Sequence, residues 1–188
     1  MQIECGAQVM QVFESWAHHL SEDQFTQFAK VSPVYRYTTL SLRHLTHCVF
    51  FCMRCQPYAA RIAAYIRAKH EDAVPVVYFA NGGSCFLHQQ LDMDMHALSV
   101  DWRISMKHAR SIVGESTVLA GNVDPMVLYG GELDIQAAVQ RCITEAGTGQ
   151  GHVLNLGHGV EQDIPESAVQ CFVQAAKAYS SSSGTSSK

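Results

Sequence analysis

Five short apolar runs, each followed by a segment with helical periodicity, constrain the fold of this chain most strongly. The predicted strands cover residues 7–13, 74–80, 97–101, 117–121 and 152–156. The predicted helices cover residues 21–30, 57–70, 86–91, 105–112, 133–146 and 165–179. Strands that alternate with helices in this way form a parallel sheet with right-handed crossovers. The pattern fits both an open, doubly wound α/β sheet and part of a closed barrel.

Glycines and polar residues follow three of the predicted strands. The last strand runs into Asn155-Leu156-Gly157-His158-Gly159, the fourth into Gly121-Asn122-Val123-Asp124-Pro125, and the third into Asp101-Trp102. Glycine allows a sharp turn and a close approach of the backbone to a ligand. Parallel α/β folds keep their binding sites at the carboxyl ends of their strands. We therefore expect a site where these segments meet.

The bulk composition is typical of one globular domain. Hydrophobic residues make up 47% of the 188 residues and charged residues 16%, which is a soluble composition. The formal net charge of −4 argues against a nucleic-acid-binding surface, and no apolar run is long enough to span a bilayer. The cysteines outside residues 48–55 show no disulfide pattern, which indicates a reducing compartment. The Ser-rich tail, residues 180–188, is predicted to be disordered after a domain that ends at residue 179.

Four motifs in order resemble the carboxy-terminal part of the uroporphyrinogen decarboxylase family. They are Phe13-Glu14-Ser15-Trp16, Val100-Asp101-Trp102, Gly121-Asn122-Val123-Asp124-Pro125 and Asn155-Leu156-Gly157-His158-Gly159. The resemblance covers residues 2–30 and 57–178, and Gly82-Gly83-Ser84 favours the plastid and cyanobacterial branch. It implies a (β/α)8 TIM barrel, of which these five units would be the last five. Three strands would then be missing on the amino-terminal side, so we expect an incomplete barrel.

The resemblance also implies which residues bind substrate. His158 would bind a substrate carboxylate, Ser15 would hydrogen-bond the substrate, and Phe13 would line the cleft. A serine after a strand can equally cap a helix, and a core aromatic would look like Phe13. The family's catalytic aspartate, its substrate-binding arginines and a binding tyrosine lie in the amino-terminal part. We therefore assign no catalytic residue in this chain and expect it to be inactive by itself.

The reaction implied by the resemblance is the removal of four acetate carboxyl groups from uroporphyrinogen III. The products are coproporphyrinogen III and carbon dioxide, in the biosynthesis of haem and chlorophyll. No cofactor or metal is needed, since a protonated pyrrole can serve as its own electron sink. We expect a homodimer when the barrel is complete, with no nucleic-acid or membrane partner. The expected location is the plastid stroma or the cytoplasm, with any targeting sequence in the missing amino terminus.

Three polar groups at strand ends also have structural interpretations. Asp124 can brace its turn and cap the helix that starts after Pro125, and we favour this over a role in the active-site loop. Asp101 can be a carboxylate held by the barrel, with Trp102 as packing. Residues 82–84 can cradle a phosphate, but no Lys-Ser or Lys-Thr follows, so we favour a plain loop.

The resemblance is interrupted by residues 31–56, which have no Asp, Glu or Gly and contain three cysteines. This atypical insertion begins with valine and ends with glutamine, whose codons can carry the bases of intron boundaries. We interpret it as a translated intron. Cys48, Cys52 and Cys55 have the spacing of a radical-SAM iron–sulfur motif, but we favour chance spacing, because the segment does not follow the first strand of a barrel.

Two other functions compete with the decarboxylase. Corrinoid or coenzyme M methyltransferases of the same superfamily bind zinc through a His-x-Cys motif after the strand that matches residues 74–80. This chain has Tyr78-Phe79-Ala80-Asn81 there, so that thiolate is missing. The third interpretation is a non-catalytic fragment or partner subunit.

Overall fold

A parallel five-stranded sheet forms the centre of the protein. The computed structural model describes residues 2–14, 59–69, 74–147 and 151–183. Within these ranges the strands lie in the order β1-β2-β3-β4-β5, and every neighbouring pair is parallel. The strands are β1 (Met10–Glu14), β2 (Val76–Ala80), β3 (Ala97–Ser99), β4 (Val118–Val123) and β5 (His152–Leu156).

Helices follow the strands along the chain. Residues 59–69 form α1, which precedes β2. A 3-10 turn at Gly83–Phe86 leads into the short α2, and a second 3-10 turn follows at Leu91–Met93. The remaining helices begin after β3, β4 and β5. The bounds are α2 (Leu87–Gln90), α3 (Met106–Val113), α4 (Glu132–Ala146) and α5 (Glu166–Ser183).

The strand order identifies the sheet as part of a barrel. A doubly wound sheet reverses its order at a switch point and carries helices on both faces. Here each strand pairs with the next one in sequence, and the buried helix residues form one cluster with one face of the sheet. Sequential parallel strands with helices outside are the arrangement of a (β/α)8 barrel. The prediction of a partial barrel is therefore confirmed.

Register divides the sheet into an outer face and an inner face. Tyr78, Leu98 and Leu119 lie side by side on the outer face, and each is at most 2% exposed beneath the helices. Because side chains alternate along a strand, the next residues point inward. Phe79, Ser99 and Ala120 form this inner row.

The inner row is covered in the middle and open at both ends. Phe79 is 5% exposed, whereas its neighbours on the edge strands, Phe13 and Val153, are 62% and 56% exposed. Phe13 pairs in register with Phe79, and Val153 with Ala120. In a closed barrel the inner face packs against the side chains of the remaining strands. Within the described residues nothing supplies that packing beside the two edge strands, so Phe13 and Val153 stay exposed.

All five predicted strands are confirmed, with different ends for four of them. The β5 bounds are as predicted. β1 starts at Met10 rather than residue 7, because its pairing with β2 begins at Met10, opposite Val76. β3 ends at Ser99 rather than residue 101. β4 runs to Val123 rather than residue 121, because Asn122 and Val123 continue the pairing with β5.

The helix predictions after β2 are also confirmed in position. Ser105 caps α3, where its hydroxyl accepts from the His108 amide at 3.2 Å. The last helix continues to Ser183, beyond its predicted end at residue 179. Several predicted features lie outside the described residues. They are the end of the tail (184–188), the helix at 21–30, the insertion at 31–56 with its cysteines, and Ser15.

Candidate active site at the carboxyl ends of the strands

Four aromatic rings meet where β1, β2, β3 and β5 end. Phe13 and Phe79 are in edge contact, with ring centroids 5.9 Å apart. Phe79 in turn lies 6.3 Å from the imidazole of His158, and Trp102 lies 5.7 Å from it on a nearly perpendicular plane. The His158 ring is thus held between two aromatic rings while its side chain stays exposed. Of the predicted binding residues, Phe13 and His158 are brought to one site through Phe79.

Gly157 lets the His158 loop reach the end of β3. A Cβ at this position would lie 2.5 Å from the Trp102 amide nitrogen, which no side chain tolerates. The Gly157 amide donates to the Val123 carbonyl at 2.7 Å, so the turn is also fixed to β4. The close approach predicted for this glycine is therefore to the neighbouring backbone. Its consequence for the site is that His158 rests against Trp102.

Asp101 is fully buried and acts as a structural acceptor. Its Oδ2 accepts from the Gly82 amide at 2.7 Å, and its Oδ1 accepts from the Ser84 hydroxyl at 2.8 Å and the Arg103 amide at 3.0 Å. A carboxylate with this many donors is committed to holding the loops after β2 and β3 together. Residues 82–84 therefore form a loop around a carboxylate, in agreement with the favoured plain-loop interpretation.

Arg103 and Asn81 belong to the site, although the sequence analysis assigned neither to it. The Arg103 guanidinium lies 4.5 Å from the centre of the Trp102 ring, and its Nη1 donates to Asn81 Oδ1 at 2.8 Å. Asn81 Nδ2 lies 3.5 Å from His158 Nε2. The available signal was their position near strand ends, since Asn81 directly follows β2 and Arg103 lies four residues after β3. The side chain of Arg103 remains 49% exposed, so a cation stands beside His158.

The Gly-Asn-Val-Asp-Pro segment, which forms the end of β4 and the turn after it, is structural. Gly121 has a φ of 119°, and a Cβ there would lie 2.6 Å from the Val100 carbonyl oxygen. Asn122 donates to the carbonyls of Asp101 and Ile104 at 2.9 and 2.6 Å. Asp124 caps the 3-10 helix that follows, accepting from the Met126 amide at 2.9 Å. The favoured structural interpretation of Asp124 is confirmed.

The loop after His158 is anchored by a tyrosine on the 3-10 helix after β4. The Tyr129 hydroxyl donates to Asp163 Oδ1. This hydrogen bond, together with desolvation and the nearby negative charge, raises the pKa of Tyr129 to about 12. Tyr129 therefore stays protonated at neutral pH and can keep donating. The contact ties the chain between β5 and α5 to the neighbouring strand–helix unit.

One largely buried cluster contains the residue types of a thiol protease triad but not its hydrogen bonds. It consists of Cys142, His152 and Asn122. Cys142 Sγ lies 3.9 Å from His152 Nε2, but that nitrogen donates to the Gly121 carbonyl at 2.7 Å. Burial raises the pKa of the Cys142 thiol, which disfavours the nucleophilic thiolate. Burial also lowers the pKa of His152, an effect only partly opposed by its hydrogen bond to Gly121. The cluster lies on the helix side of the sheet and serves packing.

Acidification should destabilise the protein through His152. Because its folded pKa lies below the ordinary value of 6.5, the unfolded chain binds the proton first as the pH falls. The stabilising contribution is therefore complete above about pH 6.5 and is lost below it. We expect His152→Gln, whose amide can still donate to Gly121, to show a smaller drop in melting temperature between about pH 7.5 and 5.5. An equal drop in melting temperature in the unaltered protein and in His152→Gln would contradict a lowered pKa of His152.

Comparison with known proteins identifies the family. The model of the uroporphyrinogen decarboxylase (URO-D) family matches residues 1–38 and 41–179. The chain belongs to the uroporphyrinogen decarboxylase family. The match runs through most of residues 31–56, so it does not by itself separate that segment from the rest of the chain.

Curated members of this family are similar over nearly the whole chain. The uroporphyrinogen decarboxylase of Crocosphaera subtropica is 34% identical over 176 residues, covering 94% of this chain and 42% of the relative. That of Microcystis aeruginosa is 32% identical, and that of Actinobacillus pleuropneumoniae 33%, each covering 95% of this chain. The chain thus spans less than half the length of these relatives. Similar identities to cyanobacterial and other bacterial enzymes leave the plastid and cyanobacterial branch a prediction.

A solved structure supports the barrel assignment. A methyltransferase from Methanosarcina mazei superposes with a TM-score of 0.66 at 20% identity, covering 95% of this chain and 44% of the methyltransferase. At this identity the likeness concerns the fold. Among the residues that the structure describes, no helix is long and apolar enough to cross a membrane. No three His, Cys, Asp or Glu side chains converge on a metal position in those same ranges.

Proposed function

We propose that this chain is the carboxy-terminal part of a uroporphyrinogen decarboxylase and supplies the substrate-binding wall formed by its last five strands. The observation that carries the proposal is the exposed His158, which is framed by Trp102 and Phe79 with Asn81 and Arg103 beside it. The ring and the cation face solvent at the end of the sheet where barrel enzymes bind substrates. Membership in the family supplies the substrate class.

The chemistry of the site suits a polycarboxylate with an apolar ring system. Imidazole, amide and guanidinium groups are hydrogen-bond donors to carboxylates, and the exposed ring of Phe13 offers apolar surface to the pyrrole rings. The carboxylate nearest this wall, Asp101, is buried and saturated with donors, so it neither repels the substrate nor transfers a proton. Ser15, which lies outside the described residues, would add a hydroxyl at the end of β1.

In the proposed reaction each acetate side chain of uroporphyrinogen loses carbon dioxide and becomes a methyl group. Protonation of a pyrrole ring carbon lets the ring accept the electron pair of the broken carbon–carbon bond. A second proton then completes the methyl group, and the ring releases the first proton. Residues of this chain bind and orient the substrate. The resemblance to the family implies that the group that moves the proton lies in the amino-terminal part of the barrel. We further propose a homodimer, located in the plastid stroma or the cytoplasm.

Truncation of His158 should impair turnover more than stability. In the decarboxylating protein we expect His158→Ala to lower kcat/KM about 10- to 100-fold, the equivalent of one charge-assisted hydrogen bond of about 1.5–3 kcal/mol. The melting temperature should change little because the side chain is exposed. His108→Ala, which removes an exposed histidine from α3, is the matched control and should leave kinetics unchanged. Normal kinetics in His158→Ala would contradict the binding role.

The same assay separates the decarboxylase from the methyltransferase alternative. Formation of coproporphyrinogen from uroporphyrinogen is measured before and after treatment with a metal chelator. A decarboxylase of this family should be unaffected. A protein that forms no coproporphyrinogen under either condition but binds zinc would favour the methyltransferase alternative.

We also infer that residues 31–56 are a translated intron rather than part of the functional enzyme. The segment combines an absence of Asp, Glu and Gly with three cysteines, and it separates β1 from the helix before β2. Sequencing of the mature transcript should show a message in which Lys30 is joined directly to Pro57. A dominant transcript that retains the segment would refute the interpretation.

A further inference from the structure

A line of polar contacts joins the buried Asp101 to the exposed ring of His158. Asp101 Oδ2 lies 3.3 Å from Arg103 Nη1, which donates at 2.8 Å to Asn81 Oδ1. Asn81 Nδ2 is 3.5 Å from His158 Nε2. The side-chain amide of Asn81 therefore links the loops that follow β2, β3 and β5.

The chemistry of these groups fixes the direction of each contact. A guanidinium group can only donate hydrogen bonds, so the atom of Asn81 that faces Arg103 must be its carbonyl oxygen. The amide nitrogen of Asn81 consequently faces His158, and it too can only donate. His158 Nε2 must then offer a lone pair. A neutral imidazole with an accepting Nε2 carries its proton on Nδ1.

Both ends of this line are held in place. Asp101 is buried and bound by the Gly82 amide, the Ser84 hydroxyl and the Arg103 amide. The Trp102 ring, 4.5 Å from the guanidinium carbon, supports Arg103 from one side and also contacts His158. An amide flip of Asn81 would place two donors together at Arg103, which is unfavourable. The hydrogen bond from Arg103 therefore favours the observed orientation of Asn81.

We propose that Asp101, Arg103 and Asn81 are positioning residues that select the Nδ1–H tautomer of neutral His158. The arrangement leaves Nδ1–H as the donor available to a ligand oxygen, which, on the proposed function, is a carboxylate of uroporphyrinogen. The tautomer itself does not depend on the substrate or on the reaction.

The tautomer is read from the two ring nitrogens of His158 by 15N NMR. The 188-residue chain is labelled at histidine and measured at about pH 8.5, where an ordinary imidazole is neutral. Magic-angle spinning of sedimented protein makes the measurement independent of self-association, and the His158→Gln spectrum assigns the signals. We expect Nε2 to be the unprotonated, pyridine-like nitrogen and Nδ1 to carry the proton.

Two substitutions should change the tautomer in different ways. In Asn81→Asp the second carboxylate oxygen can only accept, so His158 should switch to the Nε2–H form. Arg103→Leu removes the donor that faces the Asn81 carbonyl oxygen, so the preference for the Nδ1–H form should weaken, and Arg103→Lys should restore it because the ammonium still donates. Asn155→Asp adds the same charge at the end of β5 and should leave the tautomer unchanged.

An Nε2–H form in the unaltered chain, or the same tautomer in Asn81→Asp, would overturn the proposal. The tautomer of His158 and the decarboxylase activity are tested by separate measurements. A protein with the expected tautomer but no decarboxylation would fail the functional proposal alone, and a decarboxylase with the Nε2–H form would fail the positioning proposal alone.

Discussion

Asp101→Ala should destabilise the protein by about 3 kcal/mol or more. The substitution leaves the Gly82 amide, the Ser84 hydroxyl and the Arg103 amide without their acceptor, and each unsatisfied buried donor costs about 1–3 kcal/mol. Asp101 itself is 0% exposed, so water does not readily replace it. In a protein of this size the melting temperature should fall by roughly 6–12 °C. Urea unfolding of the purified protein measures the same change directly.

Asp124→Ala is the matched control for this prediction. Asp124 also follows a strand, but it is exposed and accepts from one amide, that of Met126. Loss of such a cap costs about 1 kcal/mol. A double substitution of Asp101 and Ser84 should cost less than the sum of the single ones, because the two side chains share one hydrogen bond. Equal costs for Asp101→Ala and Asp124→Ala would contradict the role of Asp101 as the common acceptor of the two loops.

A polypeptide limited to these 188 residues should show no decarboxylation. In the described part of the sheet β1 and β5 each have one unpaired edge, and the inner-face residues Phe13 and Val153 are exposed beside those edges. Unpaired edges and exposed apolar side chains favour association. Asp101, Asp124 and Asp163 are engaged as hydrogen-bond acceptors, so none of them is offered for proton transfer. We expect self-association by light scattering, binding of hydrophobic dyes and no product.

A fusion provides the control for the isolated polypeptide. The same residues preceded by the amino-terminal part of the Crocosphaera subtropica enzyme, which is 34% identical over the shared region, should bind less dye and gain turnover. The gain is expected because the added strands cover both edges and bring the catalytic group. A monomeric 188-residue polypeptide that unfolds cooperatively and turns over substrate would refute the prediction.

The architecture was largely predictable from the sequence. Alternating apolar runs located the five strands, and the motifs after them located the functional end of the sheet. The choice between an open sheet and a barrel rested on the family resemblance, because the local hydrophobic pattern does not determine the order of strands in a sheet. The order β1-β2-β3-β4-β5 then decided it from the structure.

The roles of single polar residues were harder to predict. Asp101 follows a strand just as a catalytic carboxylate would, and only the approach of Gly82 and Ser84 from a neighbouring loop shows that it is an internal acceptor. The place of Arg103 in the site was not predictable, because it depends on contacts with Trp102 and Asn81 that arise from packing between loops. The position of His158 at the carboxyl end of the last strand, by contrast, was predictable because its glycine-flanked motif is local in sequence.

The pairing of β1 with β2 closes a long loop of the chain, and closing a longer loop costs more entropy. Met10 meets Val76, 66 positions later, whereas Ala97 meets Val118 after only 21. Closing the longer loop costs about 1 kcal/mol more, since each doubling of loop length adds about 0.6 kcal/mol. Shortening the connection by the 26 residues from 31 to 56 would recover about 0.4 kcal/mol. That segment therefore weakens the attachment of the first strand through its length alone, whether or not it touches the sheet.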